Sequence, residues 1–401
     1  MSGRQGADIF QSTSTGHNMV TTEQSKRLMS LDAFRGATIA AMVLVNDPGN
    51  WGTTYAQLKH AAWNGWTITD MVFPFFLWIV GVAMTLSFAK RAESGADKGK
   101  LMLHVLRRAA IIFGLGLFLN GFPFGLAFDQ QFSFSTWRFP GVLQRIAICY
   151  FIASAIFLTT KVRGQIIWAG TFLVVYWLAL MLIPVPGYGA GYLEPMGNLE
   201  WFLDSTLLNG HTWVWAPAAG FDPEGILSTL PAITTTLFGV LTGHWLRTNR
   251  PAPEKVSWMF TVGMGMVVLG WFLSIWLPIN KNLWTAPYSI FMGGWALVGL
   301  AACYWLIDVN GYKRWAKPFV IFGMNAIAIY VASELLAILL GVIQVEGPLG
   351  KPISLQEHIY LNWFAPLGDP YNASLLYGIT YVLLMFLIGW VMWRRRWFVK
   401  I

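Results

Sequence analysis

A histidine and an aspartate at the mouth of an apolar stretch are the side chains best suited to chemistry in this chain. His60 and Asp70 are ten residues apart, and an almost continuous apolar segment follows them. A histidine titrates near neutrality and can act as a general base or accept an acyl group, and a nearby carboxylate can orient its ring. Lys59, Trp63 and Asn64 lie beside them. This polar and aromatic setting favours a catalytic histidine over one that only hydrogen-bonds its own loop.

Further polar groups stand at or inside other apolar segments. Asn46 ends the segment that precedes the His60 loop. Its amide could hold a carbonyl oxygen or orient the imidazole, or it could simply cap a helix. Gln144 and Arg145 lie inside a later apolar segment, where an arginine needs a partner. The candidate partners of Arg145 are Asp70, Asp129, Glu224 or a bound phosphate.

A carboxylate also lies within the apolar part of the chain. Glu334 follows Asn325 by nine residues in one apolar segment, and an ionisable group in such a position indicates function by default. Asp32 and Arg35 are spaced i,i+3 and can pair, which favours a structural role at a helix end. No pair of potential ligands has the spacing of a metal site, so we predict no metal.

The elements that position these residues are predicted to cross a membrane. Of the 401 residues, 56% are hydrophobic and 11% are charged, whereas soluble domains have about a quarter charged residues. Crossing a bilayer takes roughly 20 apolar residues, and helices satisfy their own backbone groups in lipid. We therefore expect an all-α integral membrane protein, a polytopic bundle of about ten transmembrane helices with ordered outer loops. The predicted segments are residues 29–47, 67–89, 102–121, 139–160, 165–184, 226–247, 256–277, 287–307, 318–342 and 373–393.

The basic residues predict an orientation in the membrane. With ten spans, all but five of the 27 lysines and arginines fall on one side. The positive-inside rule places that side, and both termini, in the cytoplasm. The net charge of +8 is thus explained by topology and requires no nucleic-acid partner. The five exceptions are Lys59, Arg138, Arg145, Lys281 and Lys351.

The rest of the chain is predicted to form one domain. Residues 1–26 are polar and lack the apolar core of a secretory signal, so we expect a disordered cytoplasmic tail followed by one transmembrane domain over residues 27–401. The two cysteines, Cys149 and Cys303, fall within predicted spans, which argues against a disulfide framework. The long outer loops are rich in aromatic residues, and we expect them to fold over the outer face.

Several motifs in one order resemble the heparan-α-glucosaminide N-acetyltransferase family, a group of polytopic membrane enzymes. The resemblance runs from about residue 27 to the C-terminus, and the first motif is also similar to one in membrane O-acetyltransferases of glycans. The matching stretches are Leu-Asp-Ala-Phe-Arg-Gly (31–36), Lys-His-Ala-Ala-Trp-Asn-Gly (59–65), Asp-Met-Val-Phe-Pro-Phe-Phe (70–76), Arg-Phe-Pro-Gly-Val-Leu-Gln-Arg (138–145), Pro-Val-Pro-Gly (184–187), Gly-Tyr-Leu (191–193), Asp-Pro-Glu-Gly-Ile-Leu (222–227), Asn-Lys-Asn-Leu-Trp (280–284) and Gly-Met-Asn (323–325).

The resemblance implies a specific reaction. Acetyl-CoA would be supplied from the cytoplasm and an amino sugar would accept the acetyl group on the far side. The family's catalytic histidine corresponds to His60, as the acyl carrier or as the base of a direct transfer, and its asparagine before the first outer loop corresponds to Asn46. The chain departs from the animal enzyme in its shorter loops and at Ala332-Ser333-Glu334, which replaces Gly-His-Glu. These departures favour a bacterial inner membrane and a smaller amino sugar or a cell-envelope glycan as acceptor.

The expected site combines these residues. His60, Asn46 and Asp70 would be catalytic. The alternatives are a transporter or flippase for a sugar or glycan, and an O-acetyltransferase of a cell-envelope glycan. The expected partners are the acceptor and the lipid bilayer, and a homodimer is left open. We expect acetyl-CoA to contact Gln144, Arg145, Asn282, Asn325, Glu334, Arg247 and Arg314. We expect the acceptor to contact Lys59, Trp63, Asn64, Glu224 and Trp284.

Overall fold

The molecule is a helical bundle with one short hairpin. The structure, a computed structural model, describes residues 28–93, 95, 97–125 and 132–399. The predicted tail, residues 1–26, lies outside this part. The helices are α1 Met29–Asn46, α2 Val72–Glu93, α3 Lys98–Gly121, α4 Val142–Thr159, α5 Val162–Leu182, α6 Leu199–Leu207, α7 Thr229–Leu246, α8 Ala252–Leu273, α9 Ala286–Cys303, α10 Lys317–Met324, α11 Ala326–Val342, α12 Leu355–Ile359 and α13 Pro370–Arg394. Strands β1 (Gln344–Glu346) and β2 (Pro352–Ser354) pair antiparallel.

Most of the predicted spans coincide with helices that could cross a membrane. Within the described residues, seven helices are long and apolar enough, or eight if α10 and α11 count as one broken span. This confirms the predicted fold class, an all-α polytopic membrane protein. The first and sixth predicted spans coincide with α1 and α7, which have 18 residues each and fall short of that criterion. The count of ten spans therefore stays a prediction for these two helices.

The polar composition of α1 and α7 follows from their central position. Helix α7 buries three successive threonines, and Thr235 and Thr236 donate to the helix's own backbone. A helix surrounded by protein needs no continuous apolar surface. Small residues let it pack closely, because a Cβ on Gly81 of α2 would lie 2.0 Å from the Thr236 carbonyl oxygen, and one on Gly239 of α7 would lie 1.9 Å from that of Trp78. Such contacts between backbones are typical of membrane helix pairs.

The ninth predicted span is broken, which corrects the sequence-based expectation of one helix over residues 318–342. Helices α10 and α11 meet at Asn325 and differ in direction by 81°. Asn325 has φ −124° and ψ 35°, outside helical geometry. Its side chain holds the C-terminal segment, since its Nδ2 donates to the Trp397 carbonyl at 3.1 Å and its Oδ1 accepts from the Val399 amide at 3.1 Å. The hydropathy pattern is continuous through this point and gave no sign of the bend.

Two long loops at one end of the bundle contain helical elements, as expected. The connection from α1 to α2 contains three short helical turns, and the connection from α5 to α7 contains α6. These loops and the ends of α1, α2, α3, α4 and α11 surround the site described next.

Candidate active site

His60 and Asp70 form a hydrogen-bonded pair. His60 lies in the loop between α1 and α2, and Asp70 stands in the helical turn Thr69–Met71 that leads into α2. The Nδ1 of His60 is 2.7 Å from Oδ1 of Asp70. A carboxylate only accepts hydrogen bonds, so Nδ1 carries the proton and Nε2 keeps its lone pair. The predicted pair is therefore assembled in the geometry of a base and its orienting carboxylate.

Asp70 is held rigidly by its own loop. It is 1% exposed, and its Oδ2 accepts from the backbone amides of Ala61 at 3.0 Å and Thr67 at 2.9 Å. The hydroxyl of Tyr288, from α9, donates to its main-chain carbonyl at 2.6 Å. The loop thus wraps around the carboxylate, and the imidazole orientation follows from backbone contacts.

A lysine from a distant loop lies against the histidine. The Nζ of Lys281 is 3.1 Å from Nε2 and 3.2 Å from Nδ1 of His60. Burial and the Lys281 charge lower the pKa of His60 below its ordinary value, although Asp70 and Glu224 act to raise it. Burial likewise lowers the pKa of Lys281. The imidazole is therefore neutral near neutral pH, as a general base must be.

Near His60, Arg138 binds two carboxylates, those of Asp222 and Glu224. The Nε and Nη2 of Arg138 donate to Asp222 at 2.8 and 2.7 Å, and Nη2 also donates to Glu224 at 2.7 Å. Burial acts to raise the pKa of Glu224, but the charges of Arg138, Arg145 and Lys281 outweigh it and lower that pKa. Glu224 is therefore a charged carboxylate, held by one hydrogen bond from an arginine that binds Asp222 through two.

These side chains line a common space, which we call the His60 cavity. Its volume is about 460 Å³, within the range of small-molecule sites. Glu334 of α11 faces it beside Asn46 of α1, whose Nδ2 donates to the Glu334 carboxylate at 3.3 Å. Gln144 is almost fully buried, and its Nε2 has no hydrogen-bond partner within the described residues. The polar lining residues are Asn46, His60, Thr69, Asn120, Arg138, Gln144, Glu224, Lys281, Asn282 and Glu334, with Trp51, Trp213 and Tyr330 among them.

A second space, the arginine cavity, lies further along the same helices. It measures about 480 Å³ and is lined by Arg35, Arg91, His104 and Arg108. Arg108 also lies over the Tyr150 ring at 5.0 Å. Arg108 and Asn120, one from each cavity, are twelve residues apart on α3, which is about 18 Å at the rise of an α-helix.

A narrow apolar gap of about 10 Å³ separates the two cavities. It shares lining residues with both of them, so the three spaces form one series through the bundle. Those shared with the His60 cavity are Met42, Phe73, Val142, Leu143 and Tyr330. Those shared with the arginine cavity are Phe76, Ile146 and Ile327.

The residues expected to contact the cofactor are distributed over several places. Gln144, Asn282 and Glu334 line the His60 cavity. Arg145 does not line it and is 1% exposed. Asn325 uses both ends of its amide on the C-terminal segment, while Arg247 follows the last turn of α7 and Arg314 is exposed in the loop before α10. Neither Arg247 nor Arg314 lines the arginine cavity.

The partner of Arg145 differs from the expected carboxylates. Its Nη2 donates to Ser228 Oγ at 2.5 Å and to the Gly225 carbonyl at 3.1 Å, and Ser228 Oγ donates to Glu200 at 2.7 Å. Neither Asp70 nor Glu224 hydrogen-bonds Arg145, and Asp129 lies outside the described residues. The buried charge is thus balanced through a serine by a carboxylate of α6.

The residues expected to contact the acceptor also separate into two groups. Glu224 lines the cavity. Trp63 donates to the Leu193 carbonyl at 2.9 Å and packs on Phe221, and Trp284 is 1% exposed with Phe73 and Tyr288 at its edges and Arg145 over its face. Trp284 therefore belongs to the protein core, and Trp63 is partly buried against it, so neither lines the His60 cavity. Asn64 accepts from Asn280 at 3.1 Å, and Lys59 reaches the Gly52 carbonyl at 3.4 Å.

Sequence reasoning missed several lining residues. The sequence places Lys281 and Arg138 in motifs, and Arg108 and His104 in a basic helix, but it did not predict that these four residues line a cavity. Lys281 and His60 are separated by 221 residues, so a single sequence gives no sign that they meet. A signal existed for Arg138, because a lone arginine next to Phe-Pro-Gly before an apolar run needs a carboxylate nearby.

Comparison with known proteins gives the family. A family model described as heparan-alpha-glucosaminide N-acetyltransferase, catalytic, matches residues 27–280, more than half of the 401 residues. The chain belongs to the heparan-α-glucosaminide N-acetyltransferase family. The matched range includes Asn46, His60 and Asp70 and ends one residue before Lys281. Family membership and the apolar helices together make this a multi-pass membrane protein.

Two mammalian relatives extend the match almost to the full chain. The heparan-alpha-glucosaminide N-acetyltransferase of Mus musculus is 27% identical over 427 residues, covering 94% of this chain and 61% of the mouse protein. The protein of that name from Homo sapiens is 28% identical over 423 residues, covering 94% of this chain and 60% of the human protein. The chain therefore spans about three fifths of the length of these relatives.

Proposed function

We propose that this protein is a transmembrane acetyltransferase that transfers the acetyl group of acetyl-CoA to the amino group of a glucosamine-type sugar. The observation that carries the proposal is the His60–Asp70 pair, at 2.7 Å, on a cavity large enough for an acceptor and the end of a donor. Family membership supports the reaction class, and the printed names of the mammalian relatives support the acceptor class.

The donor would occupy the series of spaces through the bundle. Arginine binds phosphate groups through its planar fork of donors, so Arg35, Arg91 and Arg108 are suited to the nucleotide end of acetyl-CoA. The pantetheine arm is a thin chain that would pass the narrow gap once the apolar side chains there move apart, and the thioester would then reach the His60 cavity. This arrangement assigns the phosphates to the arginine cavity instead of to Arg247 and Arg314.

The acceptor would bind from the other side of the His60 cavity. An amino sugar carries an ammonium group near neutral pH, and carboxylates attract it. Glu334 and Glu224 both line the cavity, and Glu334 forms no ion pair with a cation of the described residues. We therefore assign Glu334 to the acceptor and not, as the sequence suggested, to the cofactor. Trp51 and Trp213 are the lining aromatic residues that could pack on a sugar ring.

The chemistry is a direct transfer assisted by His60. The acceptor nitrogen attacks the thioester carbonyl, a C–N bond forms, and the C–S bond breaks. The bound ammonium first gives one proton to solvent, so that the attacking nitrogen is a free amine. Nε2 of His60 takes the second proton, which the nitrogen loses as the C–N bond forms, and passes it to the leaving thiolate, while Asp70 stabilises the transient imidazolium. The amides of Asn46 and Gln144 are the donors available for the oxygen that becomes negative. The alternative is an acetyl group carried on His60 and then transferred.

The membrane arrangement is part of the proposal. The arginine cavity would open to the cytoplasm, where acetyl-CoA is made, and the His60 cavity to the opposite side. Both termini would then be cytoplasmic, in agreement with the positive-inside rule. A bacterial inner membrane is the setting that we propose.

The experiment uses purified protein in detergent with radiolabelled acetyl-CoA and glucosamine. Wild type is compared with His60→Ala and with the matched control His358→Ala, a histidine on α12 that does not line the His60 cavity. We expect labelled sugar from wild type and His358→Ala and none from His60→Ala. A rapid-quench sample without acceptor tests for label on the protein, which would indicate the acetyl-histidine route.

Two results would contradict the proposal. Label transfer by His60→Ala at the wild-type rate would remove His60 from the mechanism. Failure of wild type to bind acetyl-CoA would remove the reaction class. If acetyl-CoA binds but glucosamine stays unlabelled, the acceptor assignment is wrong, and the same assay with envelope glycans, including hydroxyl acceptors, replaces it.

A further inference from the structure

The position of Lys281 relative to His60 is unusual for a simple hydrogen bond. Its Nζ is almost equally far from the two ring nitrogens, at 3.1 and 3.2 Å. An ammonium that donated along one lone pair in the ring plane would be clearly farther from the other nitrogen. The lysine head therefore lies against the imidazole as a whole, and it faces the ring that Asp70 holds from Nδ1.

Hydrogen bonds from side chains and main chain support the contact on both sides. Asn280, next to Lys281, donates from Nδ2 to Asn64 Oδ1 at 3.1 Å, and its Oδ1 accepts from the Leu283 amide at 2.8 Å. The amide of Gly65 donates to the Ile279 carbonyl at 2.8 Å. These bonds join the loop before α9 to the loop that carries His60. The lysine is thus presented to the imidazole by fixed main chain.

We propose that Lys281 is a positioning residue that keeps His60 in its uncharged form, so that Nε2 can accept the acceptor's proton. The role of His60 as base rests on the proposed function. The contact between Lys281 and His60 is independent of that function. Lys281 contacts His60 and acts through it.

The electrostatic surroundings show why such a residue is needed. Asp70 and Glu224 both face His60 and favour an imidazolium. Arg138 and Arg145 lower the pKa of Glu224 and so favour its charged form. Burial is the larger influence against an imidazolium, and Lys281 is the cation that adds to it, so the pKa of His60 is lowered in spite of the two carboxylates.

The experiment measures the protonation of His60 without any transfer reaction. Diethyl pyrocarbonate modifies neutral imidazole, and the His60 side chain is 47% exposed, so the reagent can reach it. The rate of modification is followed from pH 5 to 8.5 in the whole protein, and the peptide that contains His60 is quantified by mass spectrometry, because the chain has six histidines. The variants are Lys281→Met, Lys281→Arg and the matched control Lys59→Met.

We expect the midpoint of His60 modification to move up by about 1–2 pH units in Lys281→Met, the usual effect of a charge at this range. Lys281→Arg keeps the positive charge and should return the midpoint toward the wild-type value. Lys59→Met removes the same charge one residue from His60, but Lys59 contacts the Gly52 carbonyl instead of the ring, so its midpoint should stay near wild type. The acidic limb of acetyl transfer should move in parallel.

Either of two results would overturn the inference. One is an unchanged midpoint in a Lys281→Met protein that keeps its melting temperature. The other is an equal shift in Lys59→Met, which would show a general charge effect. A protein that transfers no acetyl group but shows the Lys281-dependent midpoint would contradict the proposed function and leave the contact between lysine and histidine intact.

Discussion

Replacing Asp70 by asparagine should disable His60 while leaving the loop folded. Asparagine has one oxygen and one amino group where aspartate has two oxygens. If its oxygen takes the place of Oδ2, the amides of Ala61 and Thr67 keep their acceptor, and the amino group faces Nδ1 of His60. The opposite orientation would point the amino group at two backbone N–H donors, at a cost of about 1–3 kcal/mol for each unsatisfied group.

The preferred orientation therefore changes the histidine tautomer. An amino group at 2.7 Å from Nδ1 requires that nitrogen to accept, so the proton moves to Nε2 and the base is lost. An amide in place of the orienting carboxylate of a Ser–His–Asp triad lowers kcat by about 10⁴-fold. We expect kcat for acetyl transfer to fall by about 10³–10⁴-fold in Asp70→Asn, or about 4–5.5 kcal/mol, with a stability loss of only about 1 kcal/mol.

The assay is acetyl transfer by purified Asp70→Asn, with thermal unfolding measured in the same preparation. Asp369→Asn is the matched control, since Asp369 caps α13 through the amides of Tyr371 and Asn372 and does not line the His60 cavity. The reasoning is refuted if folded Asp70→Asn keeps more than about a tenth of wild-type kcat. Such a result would mean that the His60 tautomer does not limit the reaction.

Two further substitutions test the donor route and the outer loops. Arg108→Gln should raise the KM for acetyl-CoA by about tenfold through loss of a charged phosphate contact, while Arg247→Gln should not; equal effects would contradict the assignment of the arginine cavity. Burial raises the pKa of Glu200 to about 7, and burial together with the Glu200 charge raises that of Asp204 to about 9. Because the pKa of each carboxyl is higher in the folded than in the unfolded protein, unfolding releases protons. The free energy of unfolding therefore falls as pH rises from about 4.5 through 9. Glu200→Gln should flatten the fall in melting temperature between pH 5.5 and 8, and an unchanged slope would contradict this.

The helices and the His60–Asp70 pair could be predicted from the sequence because both depend on local features. An apolar run of bilayer length predicts a span wherever it occurs, and α13 lies within three residues of its predicted bounds. His60 and Asp70 are neighbours along the chain, so their meeting needed only a short loop. The backbone amides of Ala61 and Thr67, which donate to Asp70, belong to the same loop.

The remaining features depend on contacts between distant segments. In the sequence, Trp63 and Trp284 look like exposed aromatic residues of a membrane interface. In the structure, each donates a hydrogen bond inside the protein. A tryptophan suits a core as well as an interface, so the residue type cannot decide. The arginine cavity combines residues of α1, α2 and α3, and no single helix carries a phosphate site by itself. The contact between Lys281 and His60 likewise joins residues that are far apart in the chain.

The broken helix at Asn325 is the feature that would favour a transporter, because transporters use discontinuous helices at their binding sites. Its surroundings argue for a fixed element. Both ends of the Asn325 side chain hold the C-terminal segment, and Val399 of that segment lines the arginine cavity. Alternating access also calls for matched breaks in two repeats, and the described residues contain a single bent pair of this kind. The gap between the cavities measures about 10 Å³, room for about one water molecule, so apolar side chains must separate before any group passes. An extended pantetheine arm requires a smaller separation than a sugar ring. The gap therefore favours the proposed acetyltransferase, in which only the thin arm of the donor enters it, over a transporter, in which the whole sugar must pass.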